Sequence, residues 1–387
     1  MSAVSQHDFV KRLLGDDPPP GESAPAIVDA LVAETIRLDA SDLHLLPEQQ
    51  ALRVQWRVDG VLGEAEWLPS GLATNVVARL KVLAGLLTYE TQTPQEGQFR
   101  SSDQGTPLRV STLPTLFGEK VVVRRLPSGA EQLASLTDLG LLPAPLDLLS
   151  RSLRETSGMV LIVGPSGSGK TTTAYATLRE ITLQSGGKRS IATLEDPIEV
   201  VLPSVAQSQA APHLGFDLRV GLRALVRQDP EVIFVGEIRD TQTAQIAYQA
   251  ALTGQLVIST FHATDAVAAV VRLLDMGIPA YLLRGATRAI VAQRLLRKKC
   301  ACPPGNQVAP ASCADCQGSG YRGRCVIAEA VDFTAAEIAA AIQDGAQRHE
   351  LEAALRIAGA ESLRGQAETL VERGVTDQVE LERLLGK

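Results

Sequence analysis

One stretch of this chain decides its fold: Met159-Val160-Leu161-Ile162-Val163, followed by Gly164-Pro165-Ser166-Gly167-Ser168-Gly169-Lys170-Thr171. The apolar run is typical of a buried parallel strand, and Thr172 to Ile181 has the spacing of a helix. Between them, the glycines let backbone N–H groups face phosphate oxygens, Lys170 reaches the β- and γ-phosphates, and the Thr171 hydroxyl ligates Mg²⁺. The stretch therefore predicts a nucleoside-triphosphate site formed by Gly164 to Thr172. The alternative is a glycine-rich turn without a ligand.

Length and composition are those of an ordinary globular protein. The 387 residues exceed the usual size of one core, so we expect two domains. A hydrophobic content of 45% with 21% charged residues excludes a disordered or fibrous chain. The net charge of −7 argues against a general affinity for nucleic acid, although Arg294 to Lys299 is locally basic. The chain has neither a long apolar run nor a secretory leader, which predicts a cytoplasmic protein.

The order of the predicted elements divides the chain. Three consecutive prolines, Pro18 to Pro20, indicate that residues 1–22 form a flexible lead-in. Residues 23–127 combine helical stretches at 24–38 and 73–87 with alternating strands, which predicts a smaller α+β domain. We expect a linker over residues 128–138. Residues 139–387 predict an α/β domain, in which helices cover both faces of a parallel sheet and the chain ends in helices, with strands at 159–163, 190–194, 231–235 and 256–259.

Polar side chains follow three of these strands, where a parallel sheet gathers its ligand groups. Glu195 can accept a proton from a water that attacks the γ-phosphate. Glu237 ends a Walker B-like segment, in which an acidic group holds magnesium through water, although Gly236 stands where many such proteins have aspartate. His262 follows the third strand. The structural alternatives are a capped turn at Glu195, a solvated turn at Glu237 and a satisfied structural histidine at His262.

All five cysteines lie between Cys300 and Cys325. Such clustering is more typical of a metal knuckle than of a disulfide framework, and it indicates a reducing compartment.

Together these motifs resemble the secretion and pilus motor ATPases, the family of type II secretion and type IV pilus assembly ATPases. The resemblance runs from about residue 24 to the C-terminus. The matching segments are Ser41 to His44, Arg57 to Gly60, Pro94 to Gly97, Arg109 to Thr115, Gly118 to Arg124, Gly164 to Thr171, Leu194 to Glu199, Leu225 to Pro230, Gly236 to Asp240, the segment around His262, and Gln293 to Leu295.

The resemblance implies a RecA-like P-loop ATPase domain and gives roles to its residues. Glu195 would be the catalytic base, Glu237 would hold Mg²⁺ together with Thr171, and His262 would contact the γ-phosphate. Arg109 and Arg124 match arginine fingers of the first domain, and Arg57 is a weaker match. Arginines brought in by domain closure would couple hydrolysis to movement. The alternative for these arginines is a set of solvated ion pairs on strands.

Two departures from the family pattern concern His262 and the cysteines. The family usually has a histidine at the position of Gln255, so any role that needs two histidines is in doubt. The assembly branch of the family carries two CxxC pairs before a Gly-Tyr-x-Gly-Arg segment, and here the first pair, Cys300-Ala301-Cys302, is one residue short. Four thiolates would hold a structural Zn²⁺ tetrahedrally, with free thiols as the alternative. The four predicted ligands are Cys300, Cys302, Cys313 and Cys316, with Cys325 surplus.

The resemblance thus implies an ATP hydrolase that uses ATP, Mg²⁺ and structural Zn²⁺ and works as a homohexamer. It would bind an inner-membrane platform protein from the cytoplasmic side and drive assembly of pilus or pseudopilus subunits, without a nucleic-acid partner. One alternative is a related motor for pilus retraction or DNA transfer; the cysteines favour assembly over retraction, and the acidic net charge disfavours DNA. The other is a nucleotide-binding regulator without hydrolysis, which Lys170, Thr171, Glu195 and Glu237 disfavour.

Overall fold

The computed structural model describes residues 9–14, 24–126, 135–302, 313, 315–316, 318–343 and 346–386. These residues form two compact units, one within Met1–Ser128 and Lys299–Gly323 and the other within Gly129–Lys298 and Arg324–Lys387. The sequence predicts that the cysteine-rich segment belongs to the α/β domain, whereas its described residues up to Gly323 group with the first unit. One reason is that the backbone N–H of Gly323 donates a hydrogen bond to Oδ2 of Asp59, at 2.8 Å. Most of the predicted linker lies outside the described residues.

The first unit is an antiparallel sheet with helices packed on it. Its elements are α1 (Phe9–Leu14), α2 (Ala24–Arg37), β1 (Asp42–Pro47), β2 (Ala51–Val58), β3 (Val61–Leu62), β4 (Glu66–Pro69), α3 (Ser70–Leu83), β5 (Gln95–Arg100), β6 (Pro107–Thr115) and β7 (Gly118–Arg125). The spatial order is β3-β2-β1-β7-β6-β5, and β4 pairs with β2. Alternate residues of β2 (Leu52, Val54 and Trp56) point into a core that α2 and α3 cover. This arrangement is the α+β pattern that the sequence predicts.

Two helices of this unit differ from their predicted positions. Helix α1 lies inside the predicted lead-in. It is held there by packing, since Val10 is buried and the ring of Phe9 packs edge-on against Trp56 with centroids 5.6 Å apart. The predicted lead-in thus contains a helix packed on the first unit, and its three prolines lie outside the described residues. Helix α3 ends earlier than predicted, since Gly85 takes a left-handed φ of 68° just after it.

The second unit is an α/β sheet. Its strands at 287–299 and 321–332 also include Lys299 and Tyr321 to Gly323, which group with the first unit. Its elements are α4 (Pro143–Ser152), β8 (Gly158–Val163), α5 (Lys170–Gln184), β9 (Ile191–Glu195), β10 (Ala206–Gln209), α6 (Leu218–Leu225), β11 (Val232–Glu237), α7 (Thr241–Thr253), β12 (Leu256–Phe261), α8 (Ala266–Asp275), α9 (Ala280–Ala286), β13 (Thr287–Lys299), β14 (Tyr321–Asp332), α10 (Ala336–Ala341), α11 (Arg348–Ile357), α12 (Leu363–Glu372) and α13 (Gln378–Leu385). The spatial order is β10-β9-β11-β12-β8-β13-β14, parallel from β10 to β13. The predicted parallel sheet is confirmed, and β13 and β14 extend it beyond the prediction.

Side chains of β8 alternate between two cores. Met159 and Leu161 pack with helices that include α7 and α8, whereas Val160 and Ile162 pack with α4 and α5. Helices thus cover both faces of the sheet, as the sequence predicts. Helices α12 and α13 pack on a smaller cluster around Leu296 and Ile327. Among the described helices, none has the length and apolar character needed to cross a bilayer.

Candidate active site

The glycine-rich loop joins the buried strand β8 to helix α5. Gly164 has a φ of 156° and Gly169 a φ of 86°, values that favour glycine. A β-carbon on Gly164 would lie 2.3 Å from Oγ of Ser168, so a larger residue does not fit this turn. Helix α5 follows directly, with Thr171 and Thr172 exposed in its first turn. The predicted order of strand, loop and helix is therefore present.

The ammonium group of Lys170 lies against this loop. Its Nζ donates hydrogen bonds to the carbonyl oxygens of Gly164 at 2.9 Å and Pro165 at 2.8 Å, and only 8% of the residue is exposed. Burial lowers the pKa of Lys170, while the negative charge of Glu237 acts in the opposite direction. A cation shielded from water beside a glycine-rich loop suits the recognition of phosphate.

The carboxyl ends of three parallel strands meet beside the loop. Strand β12 pairs with β8 up to Val163, where the loop begins, and β11 pairs with both β12 and β9. This pairing brings Gly236 against Glu195, since a β-carbon at position 236 would lie 3.3 Å from Cα of Glu195. The glycine that replaces the usual aspartate therefore leaves room for the backbone of the neighbouring glutamate.

Glu237 and His262 form a polar pair, and the positive charge of Lys170 acts electrostatically on both. Nε2 of His262 lies 2.8 Å from Oε1 of Glu237, and Nε of Arg239 donates to the other carboxylate oxygen at 2.9 Å. Burial and the positive charge of Lys170 lower the pKa of His262 below its usual 6.5. The imidazole is therefore neutral at pH 7 and donates its Nε2–H to the carboxylate. Three predicted site residues thus form one electrostatic group.

Glu195 is enclosed, with only 2% of the residue exposed. Its Oε1 accepts hydrogen bonds from the Thr193 hydroxyl at 2.6 Å and from Nε2 of Gln207 at 3.2 Å, and its Oε2 accepts one from the Tyr175 hydroxyl. Burial, together with the hydrogen bond to Glu195, raises the pKa of Tyr175, so the phenol keeps its proton and acts as donor. Sequence reasoning identified Glu195 but none of these three partners.

Strand β13 supplies two further contacts that sequence reasoning missed. Gln293 is 1% exposed, and its Nε2 donates to the carbonyl oxygen of Ser168 in the loop at 2.7 Å. The next residue, Arg294, donates from Nη2 to the carbonyl oxygen of Thr264, shortly after His262, at 3.0 Å. These bonds attach β13 to both the glycine-rich loop and the His262 turn. The only sequence signal was the family match of Gln293 to Leu295, which carried no role.

The predicted arginine fingers lie on neighbouring strands of the first unit. Arg109 of β6 and Arg124 of β7 stand opposite each other in the sheet. Nε of Arg109 lies 3.0 Å from Glu96, and Nε of Arg124 lies 2.7 Å from the buried Asp42, which is also 3.5 Å from Nε of Arg57. All three arginines thus have carboxylate partners in their own unit, and their action on a nucleotide stays a prediction.

The four predicted zinc ligands converge. The Sγ atoms of Cys300, Cys302, Cys313 and Cys316 all lie within 4.8 Å of one another. The distance from Cys300 to Cys313 is 3.9 Å and that from Cys302 to Cys316 is 3.8 Å; two thiolates on one tetrahedral zinc are about 3.8 Å apart. The backbone N–H of Cys316 lowers the pKa of Cys313 to about 7, whereas burial and the neighbouring thiols raise the pKa of Cys302 to about 12 and also raise that of Cys316. The short spacing between Cys300 and Cys302 therefore still permits a tetrahedral donor set.

Known proteins resemble this chain over most of its length. A family model described as Type II/IV secretion system protein matches residues 21–383. Type II secretion system protein HxcR of Pseudomonas aeruginosa is 39% identical, covering 94% of this chain and 78% of that protein. The type IV pilus assembly ATPase PilB of the same species is 36% identical, covering 94% and 68%. Among solved structures, the ATPase DotB of Legionella pneumophila has a TM-score of 0.70 at 20% identity, over 96% of this chain and 98% of that one, a likeness of fold alone.

Proposed function

Because this chain belongs to the type II/IV secretion system protein family, we propose that it is a motor ATPase that couples ATP hydrolysis to assembly of pilus or pseudopilus subunits. One observation supports hydrolysis: the glycine-rich loop and Lys170 lie at the same edge of the sheet as Glu195 and Glu237, which end two neighbouring strands. Support for assembly comes from the relatives, which are named for type II secretion and for pilus assembly.

In the proposed reaction, Gly164 to Thr172 binds the phosphates of ATP, with Lys170 on the β- and γ-phosphates. Thr171 and Glu237 would hold Mg²⁺, which supplies charge neutralisation at the phosphates when bound. Glu195 takes the proton of the attacking water, and its burial among strand ends suits a base that works in a dry site. His262 contacts the γ-phosphate, and Arg109 and Arg124 stabilise the charge that develops on it.

The assembly that we propose is a homohexamer, bound to the inner membrane through a platform protein and not to nucleic acid. A structural Zn²⁺ at Cys300, Cys302, Cys313 and Cys316 accompanies it. The convergence of the four thiols supports this ion, and a four-thiolate site leaves no open position for a substrate.

The test of hydrolysis compares the parent with Glu195→Gln, and with Glu199→Gln as a control that neutralises an exposed carboxyl nearby. We expect Glu195→Gln to bind MgATP with parental affinity and to lose at least about a hundredfold in kcat, as for removal of a general base. The control should keep parental turnover. A Glu195→Gln variant with parental kcat contradicts the proposal.

The test of assembly uses a strain of the source organism from which the gene for this chain has been deleted. The parent should restore surface pili or pseudopilus-dependent secretion, and Lys170→Ala should not. Restoration by Lys170→Ala contradicts a motor driven by ATP.

A further inference from the structure

We propose that the hydroxyl groups of Tyr175 and Thr193 position Glu195 for proton transfer, so that both are positioning residues of the catalytic base. This inference rests on the proposed function, because it takes Glu195 as the base. Tyr175 lies on α5, one turn after Thr171 at the phosphate end of that helix, while Thr193 lies on β9, two residues before Glu195. Two elements of the α/β unit thus hold one carboxylate.

The position of the Tyr175 hydroxyl is determined by packing. The residue is 2% exposed, and its ring contacts that of Phe234 of β11 edge-on, with centroids 6.2 Å apart. A ring held in this way cannot turn its hydroxyl toward solvent.

The direction of the hydrogen bond is also determined. The Tyr175 oxygen accepts the backbone N–H of Glu199 at 3.1 Å and that of Val200 at 3.3 Å. Because two donors already point at this oxygen, its own hydrogen is left for Oε2 of Glu195. The same hydroxyl therefore holds the segment after β9 and orients the carboxylate in front of it.

Neutral donors carry the stabilisation of this carboxylate. Tyr175, Thr193 and Gln207 donate to its two oxygens, and in the part of the chain that the structure describes no lysine or arginine forms an ion pair with it. Loss of the Tyr175 hydroxyl removes the donor to Oε2, and loss of the Thr193 hydroxyl leaves Oε1 with Gln207 alone. Either loss allows Glu195 to move away from its position. Either change impairs a base, while the phosphate-binding loop remains intact.

The first test is Tyr175→Phe, which keeps the ring and its packing. We expect kcat to fall by about ten- to a hundredfold with KM and the MgADP dissociation constant within about twofold. A lowered kcat at unchanged KM distinguishes a misplaced base from a loss of nucleotide binding.

The matched control is Tyr248→Phe, since Tyr248 is a fully buried tyrosine of α7 in the same unit. This control should keep the parental kcat and KM. If Tyr175→Phe does so too, or if both variants lose only thermal stability, the assignment is overturned.

The second test does not depend on the folding of Tyr175→Phe. Thr193→Val removes the hydroxyl at nearly constant volume, and Thr193→Ser retains it. We expect the valine variant to lower kcat at unchanged KM and the serine variant to restore kcat. Parental kcat of the valine variant overturns the inference. A parent without ATP turnover, or an active Glu195→Gln variant, would instead refute the proposed function itself.

Discussion

Nε2 of His262 lies 2.8 Å from Oε1 of Glu237, at the carboxyl ends of two neighbouring parallel strands. If this pair serves hydrolysis, removal of the imidazole takes the Nε2–H donor from Glu237 and a contact from the γ-phosphate. We expect His262→Ala to lower kcat by about tenfold or more. His213→Ala, a change at an exposed histidine of the same unit, should leave kcat unchanged in the same steady-state assay.

The protonation of His262 predicts a pH dependence. Because its pKa is lowered by burial and by Lys170, the imidazole is neutral at pH 7, and a cation forms only as the pH falls below 6.5. We expect kcat to decrease there, and this limb to be absent from His262→Ala. The unfolded state binds more protons in that interval, so the free energy of unfolding also decreases as the pH falls. A kcat that rises on acidification contradicts this reading of the pair.

The close contact at Gly236 predicts how stability and kcat change when aspartate, the residue common at this position in other proteins, replaces the glycine. Aspartate at this position needs a β-carbon 3.3 Å from Cα of Glu195, and it adds a negative charge beside that base. We expect Gly236→Asp to destabilise the protein by about 1–3 kcal/mol and to lower kcat, whereas Gly236→Ala has a smaller effect. Thermal unfolding and ATP turnover measure the two. A Gly236→Asp variant with parental Tm and kcat shows that the strand ends are wider apart than the structure has them.

The cysteine cluster predicts one bound ion. We expect protein purified with a thiol reductant to hold about one zinc per chain by elemental analysis, and Cys302→Ser to lose zinc and thermal stability. Cys325→Ser is the matched control, because the Cys325 thiol lies outside the cluster and donates to the carbonyl oxygen of Leu296. Parental zinc content in Cys302→Ser means that the short pair does not ligate.

The parts of this site that could be predicted are those that a local pattern encodes. The loop from Gly164 to Lys170 and the acidic strand ends at Glu195 and Glu237 each follow an apolar run, so their place on a parallel sheet is implied by the order of elements. The family was also predicted from such segments, and the family match confirms it.

The remainder depends on tertiary contacts. Tyr175 meets Glu195 only because α5, which packs on β8 and β12, comes within reach of the end of β9. Gln293 reaches Ser168 only because β13 pairs with β8. Strand β13 was not predicted, for two reasons. Its second half is rich in arginine, lysine and leucine, which favour helices. Its middle is buried on both faces and therefore lacks the alternation of polar and apolar residues.

Arg109 and Arg124 have two interpretations, arginine fingers or members of structural ion pairs. The two predict opposite effects on kcat when the arginine is removed. The ion pair of Arg124 with Asp42 involves a guanidinium that is 59% exposed, so it contributes little to stability. If Arg124 acts on the γ-phosphoryl group, Arg124→Ala lowers kcat by about a thousandfold or more without changing the affinity for MgADP. Arg124→Lys should recover little of this loss, because an ammonium group lacks the planar fork of the guanidinium.

Two variants separate this role from a structural one. Asp42→Asn removes the charged partner but keeps the Arg124 side chain, so we expect its kcat to remain far above that of Arg124→Ala. Arg100→Ala, at the end of β5, removes another arginine of the same unit and should leave kcat unchanged. Parental kcat in both Arg124→Ala and Asp42→Asn would assign Arg124 to the ion pair alone. If Arg124 reaches the phosphate, Arg124→Ala lowers kcat and Asp42→Asn does not.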